Sequence, residues 1–81
     1  MHSNLTINIA KRIEDLLFEK NMTQYRLIKI TCLNEKTVFD IMKGRSKDVK
    51  FSTITNIAFA FGLSLTEFFN DPVFAEDNLE Y

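Results

Sequence analysis

The sequence contains one cysteine, one histidine, one proline and two glycines in 81 residues. Cys32 has no second cysteine to pair with, so no internal disulfide is expected and a reducing cytoplasm is the expected compartment. His2 and Cys32 do not provide the ligand spacing of a zinc site, and no glycine-rich phosphate loop is present. No apolar run approaches the ~20 residues that span a bilayer, and no secretory signal pattern opens the sequence. We therefore expect no enzyme, metal, cofactor, membrane segment or evident small-molecule site.

Helix-breaking residues are also rare, and the apolar residues between them recur at helical spacing. Gly44, Gly62 and Pro72 are the only strong breakers, and no alternating stretch predicts a strand. Apolar residues recur every three or four positions, which predicts five helices around a single core. The predicted helices cover about 8–20, 24–30, 35–43, the stripe 54–61, and a segment that begins after 64. The expected fold is an all-α, compact five-helix domain over residues 1–70, followed by an acidic C-terminal tail, 71–81.

Polar residues at the predicted helix ends support these boundaries. Thr23 and Asn34 are placed to cap the second and third helices. Ser64 and Glu67 have the spacing of a capping box for the fifth helix. Asn21 follows the first helix, and asparagine is one of the residues that adopt the left-handed conformation at a helix end.

Charge is divided unevenly along the chain, although the formal net charge is only −1. Residues 1–50 hold all ten lysines and arginines and six acids, a formal charge of +4. Residues 51–81 hold five acids and no lysine or arginine, a formal charge of −5. This division fits a half that faces a polyanion, and it equally fits a solvated surface with an acidic tail. Charge alone does not select a function.

Two short helices separated by residues 31–33 have the geometry of a helix-turn-helix. From about residue 10 to residue 69 the sequence resembles the phage repressor/Cro-type family, also called the xenobiotic-response-element family. The resemblance is carried by the joint spacing of Gln24, Leu27, Leu33, Val38, Ile41, Lys43-Gly44, Thr53, Ile57-Ala58, Ala60, Phe61-Gly62, Ser64-Leu65 and Glu67-Phe68-Phe69. It implies a repressor-like domain that binds double-stranded DNA, commonly as a homodimer.

The sequence departs from the family pattern at the turn and in the core. Ile28 stands where relatives usually have a small residue, and Cys32 where they usually have glycine. A non-glycine residue at positive φ costs on the order of 1 kcal/mol, so a strained or reshaped turn is expected. We expect the Cys32 thiol to be packed rather than to sense redox state. Leu17 and Met42 replace a buried Arg–Glu pair of many relatives, which predicts that they contact each other in the core.

The resemblance implies that the exposed face of the third helix enters the major groove. With Val38 and Ile41 facing inward, the residues predicted to contact bases are Glu35, Lys36, Phe39 and Asp40. Lysine suits guanine O6 and N7, the two acids suit cytosine N4, and phenylalanine suits a thymine methyl group.

Each of these four residues has a structural alternative. Lys36 is then an ordinary solvated lysine, and Glu35 complements the positive N-terminus of its own helix. Asp40 pairs with Lys36 or Lys43 on the same face. Phe39 contacts a protein partner or neighbouring apolar surface.

Eight further residues are predicted to contact phosphate: Thr23, Gln24, Asn34, Lys43, Arg45, Ser46, Lys47 and Lys50. Thr23 and Gln24 begin the second helix, whose N-terminal N–H groups suit a phosphate oxygen. The loop after the third helix is rich in cations that neutralise phosphate. The alternative is that Thr23 and Asn34 only cap helices and that the loop is polar for solubility.

Six of the eight phenylalanines lie at or after residue 51. The family pattern places three of them in the core: Phe51, Phe61 and Phe68. Phe59 stands where relatives are usually polar, and Phe69 and Phe74 extend the apolar surface. Exposed aromatic clusters mark interfaces, so we expect self-association here, with a tail that folds back over these rings as the alternative.

Together these features predict a sequence-specific DNA-binding transcriptional regulator with recognition helix 35–43, dimeric on a two-fold symmetric site. The rival is a protein-interaction module of the same fold, antitoxin-like or regulator-binding. The rival is favoured by the sequence pI of about 5.7, the acids of the third helix and Phe39.

Overall fold

The computed structural model describes residues 4–45 and 49–74, which contain helices and no strand. The five α-helices are α1 (Asn4–Glu19), α2 (Gln24–Thr31), α3 (Glu35–Met42), α4 (Phe51–Ala60) and α5 (Leu65–Phe69). A short 3₁₀ helix, Pro72–Phe74, follows α5. The predicted all-α, five-helix fold is confirmed. Within the described ranges, no helix has the length and apolar character needed to cross a membrane.

All five helices contribute side chains to one core. α1 packs mainly against α3 and the 3₁₀ helix, and α2 packs against α4. The core consists of Ile9, Ile13, Leu16, Leu17, Leu27, Ile41, Ile54, Ile57, Ala58, Phe61 and Phe68. Val38 is also buried, as predicted. Each fully buried large side chain contributes roughly 1.5–3 kcal/mol, so this cluster fixes how the helix-turn-helix is held.

Helix α1 begins four residues earlier than the predicted start at Asn8. The predicted start rests on an apolar stripe that begins at Ile9, because Thr6 and Asn8 are polar. Both are nevertheless buried, at 7% and 9% exposure. Thr6 lies three residues before Ile9 and therefore extends the inward face of α1 by one turn. A polar residue on a buried face gives no signal in an apolar pattern, which explains the error.

Besides α2, which ends at Cys32 (φ 57°), three helices end at a residue with positive φ. These residues are Asn21 (53°), Gly44 (71°) and Gly62 (74°), at the ends of α1, α3 and α4. After α3, the Gly44 N–H donates to the Ile41 carbonyl at 3.1 Å and the Arg45 N–H donates to the Asp40 carbonyl at 2.8 Å. This pair of bonds is the Schellman motif, and it turns the chain so that Arg45 lies directly below the last turn of α3.

The aromatic residues after residue 50 divide differently from the prediction. Phe61 and Phe68 are buried as predicted, but Phe51 is 67% exposed and its assignment to the core was wrong. Phe51 is the first residue of α4, and it lines an open surface groove with Leu65 and Phe69.

The segment after α5 folds back over two of the aromatic rings. Phe69 and Phe74 are half-buried, and their ring centroids lie 4.9 Å apart in an edge-to-face arrangement. The Phe68 ring lies 5.2 Å from Phe69 and 6.1 Å from Phe74. The alternative in which the chain covers these rings therefore holds for residues 72–74, whereas Phe59 stays 68% exposed.

Arg12 joins α1 to the end of α5. Its Nε donates to the Phe68 carbonyl at 2.8 Å, and its Nη2 donates to the Glu67 carbonyl at 3.1 Å. Its Nη1 forms an ion pair with Asp71 at 3.0 Å. A cation at the C-terminal end of a helix also interacts favourably with the helix dipole. The Arg12 guanidinium therefore stabilises the fold and is not available to bind a ligand.

Candidate nucleic-acid interface

The turn between α2 and α3 places Cys32 in the left-handed region, at φ 57° and ψ 24°. Its N–H donates to the Ile28 carbonyl at 2.9 Å, which closes the last turn of α2. The expected positive φ is thus present without glycine. The Cys32 side chain is exposed, so the expectation of a packed thiol was wrong. Ile28, the other departure from the family pattern, is buried and packs inward without unfolding the turn.

Two polar side chains hold this turn in place. The Thr31 hydroxyl donates to the Leu27 carbonyl at 2.8 Å and accepts a bond from the Leu33 N–H at 3.3 Å. Asn56, on α4, donates from Nδ2 to the Thr31 carbonyl at 2.9 Å. The angle between α2 and α3 is therefore linked to α4. Sequence reasoning missed Asn56, because its partner lies 25 residues away and nothing in the local pattern indicates it.

The N-terminus of α2 is capped by Thr23, as predicted. The Thr23 hydroxyl accepts a hydrogen bond from the Arg26 N–H at 3.1 Å, and Gln24 begins the helix. Thr23 and Tyr25 are exposed and Gln24 is half-buried, so this helix end lies at the surface. A capped, exposed helix N-terminus presents N–H groups and the positive end of the helix dipole, which is the chemistry that a phosphate contact uses.

The N-terminus of α3 is capped by Asn34, also as predicted. The Asn34 Oδ1 accepts a hydrogen bond from the Lys36 N–H at 2.8 Å. Glu35 is the first residue of α3 and is exposed. This position suits the alternative in which Glu35 complements the helix dipole, and it also leaves the carboxylate at the leading end of the exposed face.

The outward face of α3 is centred on an ion pair. Val38 and Ile41 are buried, which confirms the predicted orientation of the helix. Lys36 Nζ lies 2.7 Å from Asp40 Oδ2, one helical turn along, with side-chain exposures of 82% and 24%. Phe39 lies beside this pair and is 38% exposed. The pairing alternative for Asp40 is therefore the one observed, while contact with bases stays a prediction.

Three cations lower the pKa of the Asp40 carboxyl group. The hydrogen bond from Lys36 lowers the pKa of Asp40 below its ordinary value of 3.8, and the charges of Lys36, Arg45 and Lys43 act in the same direction. Because even the ordinary pKa of an aspartate lies well below neutral, Asp40 is an acceptor at neutral pH, set among donors. The outward face of α3 thus presents donor and acceptor side by side instead of a uniform positive charge.

The end of α3 and the start of α4 carry the remaining described cations of the predicted phosphate set. Lys43 is the C-cap of α3, and Lys50 is the residue before α4. Both are exposed, and so is Arg45. Ser46 and Lys47, which were predicted to contact phosphate with them, lie outside the described residues. Exposed lysine and arginine side chains in the segment after α3 are suited to neutralise phosphate oxygens.

Comparison with known proteins identifies the family of the chain. No curated protein gives a significant match to the chain. The crystal structure of prophage Lp1 protein 11 has a similar fold, with a TM-score of 0.80 and 28% sequence identity, over 94% of this chain and 99% of that one. The model of the Cro/C1-type helix-turn-helix DNA-binding domain matches residues 12–72, well over half of the chain and all of α2 to α5. The chain belongs to the Cro/C1-type helix-turn-helix DNA-binding family.

Proposed function

We propose that this protein is a sequence-specific transcriptional regulator that inserts residues 35–43 into the major groove of double-stranded DNA. The observation that carries the proposal is the outward face of α3, where exposed Lys36 is paired with half-buried Asp40 on a helix held by two caps and a fixed turn. A rigidly held helix with polar side chains at its outward centre is suited to reading base edges, because small errors in position break the hydrogen bonds on which discrimination depends.

We assign two roles to the side chains of this surface, contact with bases and contact with phosphate. Glu35, Lys36, Phe39 and Asp40 lie on the exposed face of α3 and would contact bases. Those that would contact phosphate are Thr23, Gln24, Asn34, Lys43, Arg45 and Lys50, together with Ser46 and Lys47 by sequence alone. Phosphate contacts give affinity and fix the register of the protein on the duplex, whereas base contacts give sequence preference.

We propose further that the regulator acts as a homodimer. Phe51 and Phe59, on α4, expose 67% and 68% of their surfaces, and Phe51 lines an apolar groove with Leu65 and Phe69. Exposed aromatic side chains are typical of the buried centre of protein interfaces. A two-fold dimer that uses this surface would present two α3 helices to a symmetric site with half-sites one helical turn apart, about 34 Å.

A protein-interaction module is the second candidate, and one observation favours it. Phe39 is 38% exposed on the same face as two acids, Glu35 and Asp40. An exposed aromatic residue among charges also suits a pocket on a protein partner. In this case the fold would be the same, but the outward face of α3 would bind a protein and DNA affinity would be weak at every sequence.

Selection from random duplexes separates the two candidates. The parent protein should enrich a two-fold symmetric motif, and Lys20→Ala, which removes an exposed lysine outside the predicted contacts, should enrich the same motif. Lys36→Ala should lose preference at one base pair per half-site while weak general binding persists. If the parent binds no duplex above background at low salt and selection enriches nothing, DNA recognition is wrong and a protein partner becomes the better explanation.

A further inference from the structure

We propose that the Lys36–Asp40 ion pair recognises the major-groove edge of one G·C base pair as a single unit, with the ammonium group on guanine and the carboxylate on cytosine. This inference rests on the proposed DNA-binding function and specifies what the outward face of α3 reads. It differs from two independent contacts, because the donor and the acceptor stay bonded to each other while they bind the base pair.

The placement of the pair supports joint recognition. The two residues are one helical turn apart, so both side chains project from the outward centre of α3. The Nζ–Oδ2 distance is 2.7 Å, and Lys36 remains 82% exposed despite this bond. The Asn34 cap fixes the start of the helix, through a bond to the Lys36 backbone N–H at 2.8 Å. The pair therefore presents a donor and an acceptor together at the surface, on a helix whose start is fixed.

The chemistry of the G·C edge matches this unit. Across the major groove a G·C pair presents the N7 acceptor, the O6 acceptor and then the N4 donor. Guanine O6 and cytosine N4 are hydrogen-bonded to each other at about 2.9 Å, the usual N–H···O distance. The donor and acceptor of the ion pair, 2.7 Å apart, have nearly the same separation. One donor of the ammonium group is used by Asp40, which leaves two for O6 and N7, and the carboxylate has lone pairs free for N4.

The other base pairs match less well. A C·G pair presents the same groups in the reverse order, so the carboxylate would face acceptors and the ammonium a donor. An A·T pair presents the adenine N6 donor between two acceptors, N7 and thymine O4, so with the carboxylate on N6 the ammonium group reaches only one of them in either orientation. The ion pair then forms one hydrogen bond fewer. The order of preference that follows is G·C first, A·T and T·A next, and C·G last.

Asp40 has a second effect on binding, because it is charged near the backbone of the DNA. Asp40 is a carboxylate at neutral pH, and Lys36, Arg45 and Lys43 lower its pKa below the ordinary value of 3.8. A carboxylate in the groove repels phosphate wherever it finds no N4–H donor. Asp40 should therefore weaken binding to unmatched sequences while it strengthens discrimination at the matched base pair.

The test is a competition assay on the selected duplex, with the preferred pair replaced in turn by each of the other three. The parent protein should prefer G·C by about tenfold or more over C·G. Asp40→Asn keeps the size of the side chain but replaces the acceptor with an amide, which pairs well with adenine N6 and N7. Its preference should move toward A·T, and its affinity for scrambled duplex should rise. Glu19→Gln, which removes an exposed acid at the end of α1, should keep the preference of the parent.

Coupling between the two residues is measured in the same assay. Lys36→Ala leaves Asp40 without its bonded cation, so it should bind the G·C duplex more weakly than the double variant Lys36→Ala, Asp40→Ala. Additive effects of the two substitutions, or an unchanged G·C preference in Asp40→Asn, overturn the proposal although the parent still selects a motif. A parent that binds no duplex overturns the DNA-binding function itself. Both side chains are on the surface, and thermal unfolding verifies that each variant is folded.

Discussion

Two basic residues show how burial assigns different roles to the same charge. Arg12 has a side chain only 11% exposed and binds two carbonyl groups and one carboxylate, whereas Lys36 is 82% exposed. Because a guanidinium has five donors in a fixed plane, it can satisfy several acceptors at once where the end of α5 meets α1. Arg12 therefore contributes to stability, and Lys36 is available to a ligand.

Replacing Arg12 tests this structural role. Arg12→Met should lower the free energy of unfolding by about 3 kcal/mol, because it leaves the Phe68 and Glu67 carbonyls and the Asp71 carboxylate without their shared donor. Urea unfolding monitored by circular dichroism measures the loss. Lys11→Met, the neighbouring exposed lysine, is the matched control and should cost far less. Equal losses in the two variants would contradict the role assigned to Arg12.

At the scale of the element, predictions succeeded where the signal is local. The Thr23 and Asn34 caps and the Ser64–Glu67 capping box lie within three residues of their partners, so sequence spacing was enough to place α2, α3 and α5. The possibility that Lys36 pairs with Asp40 was visible for the same reason, at a spacing of four. The exposed face of α3 was therefore predictable, as was the kind of chemistry it carries.

The predictions that failed or were missing depend on contacts distant in sequence. Arg12 and its partners are 55 to 59 residues apart, and no local pattern distinguishes Arg12 from the other arginines and lysines of the chain. The bond from Asn56 to the Thr31 carbonyl is equally invisible in sequence. Phe51 carries the apolar signal of a core residue, but its exposure depends on how far α5 extends over the start of α4.

The prediction that the side chains of Leu17 and Met42 contact each other can be tested, because α1 packs against α3. Leu17 is buried in the core and Met42 is half-buried against it, so contact between their side chains stays a prediction. Leu17→Arg or Met42→Glu alone should cost about 3 kcal/mol, because each places an unpaired charge in the core. The double variant should recover much of this loss by forming an ion pair. Additive costs in the double-mutant cycle would show that the two side chains do not meet.

At the scale of the whole molecule, the proposed DNA-binding surface and the proposed dimer surface lie on different elements. The described cations of the predicted phosphate set belong to α3 and the segments after it, whereas α4 and α5 contain no lysine or arginine. Two exposed phenylalanines, Phe51 and Phe59, lie on α4. Because charged side chains are depleted at the centre of stable interfaces, this uncharged surface suits a second copy of the chain, and the basic surface suits DNA.

Self-association is tested with two exposed phenylalanines. Phe59→Glu, on α4, should shift the protein from dimer toward monomer, because it places a charge in the proposed interface. Phe18→Glu changes a residue of α1 that is 90% exposed and should leave the dimer intact. Sedimentation equilibrium over a range of concentrations distinguishes these outcomes. A parent protein that stays monomeric at high concentration would show that the α4 surface does not join two copies.

The central claim, sequence-specific DNA binding, is tested most directly by measuring affinity for the selected duplex and a scrambled duplex as salt concentration rises. The parent should bind the selected duplex more tightly at every salt concentration. Lys43→Ala, Arg45→Ala or Lys50→Ala should weaken both duplexes alike and reduce the salt slope by about 0.9 per lost phosphate contact. Lys36→Ala should instead reduce the ratio between the two affinities. Equal affinity of the parent protein for both duplexes, or no binding at low salt, would contradict the claim.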